Sequence, residues 1–162
     1  RSTDSKSKLR MIESIAEFSF TPERFVTAFD PLKEGVHTLK KVLAKVNGAG
    51  QRVNRVIIVT NWDAESFRLL YNNKKIRKIL ERADGIVVSG IVGVMKPDTR
   101  IFRYTFEEYG IDPSTELTIL IDDREENCKA FESMGYRYAR SMMVKNNNFK
   151  AIRRTLKEWQ VY

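Results

Sequence analysis

The sequence predicts an α/β domain built around a parallel sheet. Short apolar runs rich in β-branched residues alternate along the chain with stretches of helical periodicity. The strongest runs also end in polar pairs, Thr60-Asn61 and Asp122-Asp123, which a parallel sheet gathers on the rim where its strands finish.

Residues 2–29 are expected to form two short helices. Ile12, Ile15 and Ala16 recur at helical spacing, and Thr21-Pro22-Glu23 has the form of a cap followed by proline at the first helical position. Asp30-Pro31 breaks this segment. Between 35 and 46, Val36, Leu39, Val42, Leu43 and Val46 mark one face of an amphipathic helix, stopped by Gly48-Ala49-Gly50. The run Val56-Ile57-Ile58-Val59 is the first buried strand. A single helical stretch follows, carrying Phe67, Leu69, Leu70, Ile76, Ile79 and Leu80. Gly85-Ile86-Val87-Val88 is the second strand, closed by Ser89-Gly90. After a loop, Lys96-Pro97-Asp98 opens a helix in which Ile101, Phe102, Thr105 and Phe106 share a face. Leu117 to Ile121 is the third and strongest strand. A helix then reaches Met134 and Gly135, Tyr136 to Ala139 is a short fourth strand, and a last helix spans about 148–159.

The chain of 162 residues suits one domain, and its 42% hydrophobic and 31% charged composition is ordinary for a globular protein. Its first residues are polar, and no apolar run approaches the roughly 20 residues of a membrane helix, so neither a signal peptide nor a membrane partner is expected. Cys128 is the only cysteine. That rules out an intrachain disulfide and a cysteine-based zinc site, and fits a reducing, cytoplasmic setting. His37 is the only histidine and falls in a helical stretch, so histidine-activated nucleophiles have little raw material. The formal net charge of +8 favours anionic partners, from phosphorylated metabolites to nucleic acid.

The chemistry concentrates at the rim. Adjacent carboxylates at the end of a buried strand repel one another and lose hydration, a cost that a hard divalent cation offsets. Magnesium takes oxygen ligands, usually one or two carboxylates with water and phosphate oxygens. The plainer alternative is an aspartate that caps the next helix while its neighbour stays in water. The hydroxyl and amide of Thr60-Asn61 can hold a phosphate oxygen or satisfy local backbone. Lys96, at the opening of a helix, is a cation where the helix dipole disfavours one, which points to an anion there; an ordinary surface lysine is the other reading.

The combination is more specific than its parts. VIIVTN, SGIVGVMKPDTRIF and LTILIDDREENCKAFESMGY, in this order, resemble motifs two, three and four of the haloacid dehalogenase (HAD) superfamily, in its phosphatase-like branch. The resemblance covers about residues 29–138. It implies a HAD-like, Rossmann-like three-layer core over 31–162 with a helical cap remnant over 1–30. It also implies that Thr60 bonds the transferring phosphoryl group and Asn61 positions substrate. Lys96 neutralises charge between phosphate and nucleophile, and Asp122 with Asp123 binds Mg2+.

One part of the pattern has no counterpart. The family's core opens with a strand ending in Asp-x-Asp, whose first aspartate attacks phosphorus. Asp4 lies in a polar run, Asp30 precedes proline, and Asp63 and Asp84 lie in or beside helices. In the family this strand lies between those ending here at Thr60 and Asp122. The expectation is therefore a companion peptide, a second chain or an upstream segment in that place, or else direct pairing of the two flanking strands. With an Asp-x-Asp strand supplied, the expected activity is magnesium-dependent phosphatase chemistry on a phosphorylated small molecule. Without it, the expectation is an inactive HAD-like binding or regulatory protein. Dehalogenation fits less well, because organohalide chemistry does not need an acidic magnesium pair. A basic nucleic-acid module is the alternative of another class, resting on Lys74, Lys75, Arg77, Lys78 and Arg82, on Arg153, Arg154 and Lys157, and on Trp62 and Trp159 as stacking surfaces.

Overall fold

A computed structural model of the chain describes residues 30–162. The two helices expected over 2–29, and all but the last residue of the cap expected over 1–30, lie outside the described residues. Helix α1 (Lys33–Ala44) leads to strand β1 (Ile57–Thr60), helices α2 (Ala64–Asn72) and α3 (Lys74–Leu80), and strand β2 (Gly85–Val88). The short helix α4 (Ser89–Val92) and helix α5 (Thr99–Tyr109) precede strand β3 (Thr118–Asp122). Helix α6 (Glu125–Ser133), strand β4 (Ala139–Met143) and helix α7 (Phe149–Glu158) complete the order. Among the described residues no helix is long and apolar enough to cross a membrane.

The strands form two separate parallel pairs. β1 runs beside β2 with Ile57 opposite Gly85, and β3 beside β4 with Thr118 opposite Ala139. β1 and β3 do not pair with each other, so the rearranged sheet, one of the sequence expectations, is not formed. One apolar cluster joins the two halves. Val87 of β2, Ile101, Phe102 and Phe106 of α5, Phe131 of α6 and Ala139 of β4 are all buried in it. Ile57 and Val59 of β1 and Leu120 of β3 pack against it. Phe102 and Phe131 meet edge-on at 5.2 Å, a favourable aromatic geometry. A second cluster covers the other face of the β3–β4 half, where Ile152 and Leu156 of α7 bury Met142 and Val144 with Ile119 against them.

Several boundaries differ from the sequence expectation. The single helix expected after β1 is two, because Asn73 turns its side chain to accept from the N–H groups of Lys75 and Ile76 and so caps α3. The fourth strand lies at Ala139–Met143 instead of 136–139. Gly135, with φ of 72°, ends α6, and the chain then turns before pairing, which places Met142 in the core and leaves Tyr138 exposed. Helix α5 begins at Thr99 with Asp98 as its cap, so Lys96 sits in the preceding loop. The helix-dipole reason for noticing Lys96 therefore does not hold.

Candidate functional site

The site is built where β1 and β3 end. Asn61, the residue after β1, clasps the Lys96 backbone at two points. Its Nδ2 donates to the Lys96 carbonyl at 2.7 Å, and its Oδ1 accepts from the Lys96 N–H at 2.8 Å. With its backbone held against the first half-sheet, Lys96 extends its side chain to the second. Its Nζ meets Asp122 Oδ2 at 2.6 Å, and both side chains are withdrawn from solvent, 11% and 5% exposed.

Asp122 is satisfied from three directions. Its Oδ1 accepts from the Arg124 N–H at 2.9 Å and from Asn127 Nδ2 at 2.8 Å, while Lys96 takes Oδ2. Burial, the largest single influence, pushes this carboxyl up. The hydrogen bonds from Lys96, Arg124 and Asn127, with the charge of Lys96, outweigh it and hold Asp122 below the usual aspartate range. Asp123, its neighbour, is exposed. Thr60 is half-buried at the last position of β1, and its hydroxyl has no hydrogen-bond partner among the described residues.

Thus Asn61, Lys96 and Asp122 form one connected chain of contacts. Thr60 and Asp123 stand next to its ends in sequence without joining it. Sequence reasoning missed Asn127. This residue is 2% exposed, and its Oδ1 is a buried acceptor with no partner among the described residues. A signal was present: Asn127 lies four residues before Phe131 on the buried face of α6, where a polar side chain calls for explanation. The cap alternative for Asp122 is not met: its carboxylate takes the N–H of Arg124, the residue before α6, and no side chain caps that helix.

Asp4 lies outside the described residues, and the other three candidate aspartates have structural partners. Asp63 caps α2 through the Ser66 N–H, Asp84 accepts from the Val56 N–H and pairs with Arg52, and Asp30 pairs with Lys75. Trp62 packs into a small cluster with Leu70 and Ile76, while Trp159 is partly exposed just beyond α7.

With two parallel half-sheets sharing a core and a lysine–aspartate pair at the strand ends, three solved structures are informative. A dehalogenase in an intermediate complex aligns with 72% of this chain and 45% of its own, at 16% identity and a TM-score of 0.54. The chain therefore spans less than half of that protein. A HAD family enzyme from Bacteroides thetaiotaomicron, an aspartate-to-alanine variant in complex with magnesium and inorganic phosphate, aligns over 85% of this chain and 69% of its own, at 20% identity and a TM-score of 0.57. The fold is HAD-like. An uncharacterized protein from Corynebacterium glutamicum has the same TM-score of 0.57 at 18% identity, covering 82% of this chain and 88% of its own. No protein-family model and no curated protein matches. Identities this low carry the fold alone.

Asp122 and its exposed neighbour Asp123 are carboxylates, the oxygen donors that magnesium takes, with both Asp122 oxygens already bonded to Lys96, Arg124 and Asn127. Among the described residues no group of three or more His, Cys, Asp or Glu gathers, as a cage built wholly from protein would need. The HAD-like rim thus offers two carboxylates and a lysine.

Proposed function

We propose that this HAD-like rim binds the phosphoryl group of a small phosphorylated substrate together with Mg2+, and serves a phosphatase that works through an aspartyl-phosphate. The observation that carries the reading is the Lys96–Asp122 pair, a buried cation and anion held by Asn61 on one side and by Arg124 and Asn127 on the other. A buried ion pair is a poor device for stability alone, because desolvation consumes most of the Coulombic gain. It is a good device for a site that trades partners. Here Asp122 and Asp123 would hold Mg2+, which supplies positive charge against phosphate oxygens. Lys96, no longer needed to neutralise Asp122, would turn to a phosphoryl oxygen, and the Thr60 hydroxyl would donate to another. Asn61 would fix the point from which Lys96 reaches.

The nucleophilic carboxylate is expected from an Asp-x-Asp strand beside β1 and β3. Its attack on phosphorus would expel the substrate alkoxide, and water would then release inorganic phosphate from the acyl phosphate. The test does not need that aspartate. Calorimetry should show inorganic phosphate binding to the chain only when Mg2+ is present, with loss in both Lys96→Met and Asp122→Asn. Phosphate binding that ignores Mg2+, or that both variants retain, would sink the reading.

A second reading has one observation behind it. Lys40 of α1 and Lys74, Lys75, Lys78 and Arg82 in and after α3 line an open groove of about 460 Å³. This is the basic surface that a polyanion such as nucleic acid would meet. Binding that weakens steeply with salt while remaining indifferent to Lys96→Met would favour it.

A further inference from the structure

The groove between α1 and α3 has a floor as well as a charge. Val36 of α1 and Ile79 of α3 both line it. Each is half-buried, yet neither belongs to any of the three apolar clusters of the described residues. The core leaves them over. Cations continue the same strips along both helices, with Lys40 one turn beyond Val36 and Lys75 one turn before Ile79.

These charges work against the helix that carries them. Lys74 and Lys78 stand one turn apart, a like-charge spacing that weakens a helix. Lys74 and Lys75 fill the first turn of α3, where the dipole disfavours cations and no acidic residue offsets them. Glu81, just past the helix, pairs with Arg77 instead. Lys75 does meet a carboxylate, that of Asp30, in a pair exposed on both sides. Among the described residues Lys40, Lys74, Lys78 and Arg82 have no carboxylate partner. An anion seated in the groove would offset that repulsion.

The floor decides which kind of anion. A nucleic-acid backbone would meet the ammonium groups but set polar atoms against Val36 and Ile79. The aromatic surfaces on which bases stack are elsewhere, since Trp62 packs with Leu70 and Ile76 and Trp159 follows α7. A lipid surface is broad and flat, whereas this one is concave. An apolar floor between cationic walls matches an amphipathic helix with acidic flanks, whose apolar anchors recur at three- and four-residue spacing. Four residues of helix advance about 6 Å, so glutamates one turn apart would keep step with Lys74 and Lys78.

We infer that the groove between α1 and α3 docks an acidic amphipathic helix of a partner protein. Its apolar face would lie on Val36 and Ile79, and its carboxylates would meet Lys40 on one wall and Lys74 and Lys78 on the other. The groove shares no residue with the Lys96–Asp122 rim, so the inference does not rest on the phosphatase reading. It takes the basic surface of the second reading and assigns it a protein ligand.

The experiment is fluorescence anisotropy of the full chain with a labelled synthetic helix of about 18 residues. This peptide carries leucine along one face and glutamates one turn apart on both flanks; a twin keeps every glutamate and replaces leucine by glutamine. The first peptide should bind at least about tenfold more tightly than the twin. Lys40→Glu and Lys78→Glu, one on each wall, should each weaken it at least about tenfold by setting like charges together. Lys157→Glu makes the same charge change on the exposed face of α7 and should leave binding within about twofold. Lys96→Met should also leave it unchanged, which separates this groove from the phosphate site. Equal binding of the twin, retention in both groove variants, or an equal loss in Lys157→Glu would each overturn the inference. So would a groove that ignores the peptide while Lys40→Glu and Lys78→Glu abolish binding of duplex DNA or of phosphatidylserine vesicles.

Discussion

The β1–β2 half and the β3–β4 half are built from the same parts and differ in what covers them. The second is packed on both faces: Leu120 and Ala139 meet the Phe131 cluster on one side, and Ile119 and Met142 meet α7 on the other. The first shares only the Phe102 cluster. Its helices α2 and α3 bury Leu70 and Ile76 with Trp62, in a satellite that contains no strand residue. The difference bears on the rim. The acidic pair rides on the half with its own two-sided core, while Thr60 and Asn61 ride on the half that depends on its neighbour. Lys96 is where the two meet.

The largest effect should come from cutting the shared cluster. Phe102 is 2% exposed and sits among residues of both halves, so Phe102→Ala should cost about 3–5 kcal/mol. Hydrogen exchange should quicken in β2 and β4 together; loss confined to one half would show that the halves do not share a core. Next is the pair that bridges the rim. Asp122→Ala leaves Lys96 buried without its counter-charge, for a loss of about 3 kcal/mol in denaturant unfolding. Acid should approach the same state. The Asp122 carboxyl is held below its ordinary 3.8 in the folded protein, so its stabilising contribution is complete above that value and fades as pH falls beneath it. The stability gap between the wild type and Asp122→Asn should accordingly narrow as pH falls from about 5 to 2. A gap that is constant with pH would mean the carboxylate is not held in that way.

How far each half could be read in the sequence follows the same division. β1, β2 and β3 were legible because each is written as a short apolar run rich in β-branched residues, and the polar residues after β1 and β3 located the rim. β4 was misplaced, since Ala139, Arg140 and Ser141 break the apolar signal and the buried Met142 comes late. The α2–α3 break was hidden because Asn73 acts through its side chain, which periodicity does not record. Thr60, Asn61, Lys96, Asp122 and Asp123 were legible only as a set in order. The sequence does not show which of them touch. Asn61 holding the Lys96 backbone, and Asn127 beneath Asp122, are contacts between elements far apart or on faces that only packing defines.

A smaller effect sharpens the contrast on the dependent half. Gly90 follows β2 where the chain passes close to the start of α2. A Cβ there would lie 2.6 Å from the Ala64 nitrogen and 2.6 Å from the Asp63 Cα, both backbone atoms that cannot swing aside. Gly90→Ala should cost about 1–3 kcal/mol by overpacking, and should quicken exchange in β1 and β2 while leaving β3 and β4 near their original rates. Equal loosening of both halves would contradict the independence of the second core.

The smallest effect is the most discriminating. Arg55 ties the beginning of β1 to Glu116 and to the carbonyl of Tyr109, and its pair with Glu116 is exposed on both sides, 46% and 44%. Exposed pairs contribute roughly 0.2–1 kcal/mol, so Arg55→Met should barely move the melting temperature. Its structural consequence is out of proportion to that energy, because the Arg55–Glu116 pair ties the beginnings of β1 and β3. If the two halves are held in register mainly by the Phe102 cluster, hydrogen exchange at the beginnings of both strands should match the wild type. If the tie itself sets that register, exchange there should quicken while stability stays put. Faster exchange without a change in stability would place the pair in the alignment of the two halves and not in the strength of the core.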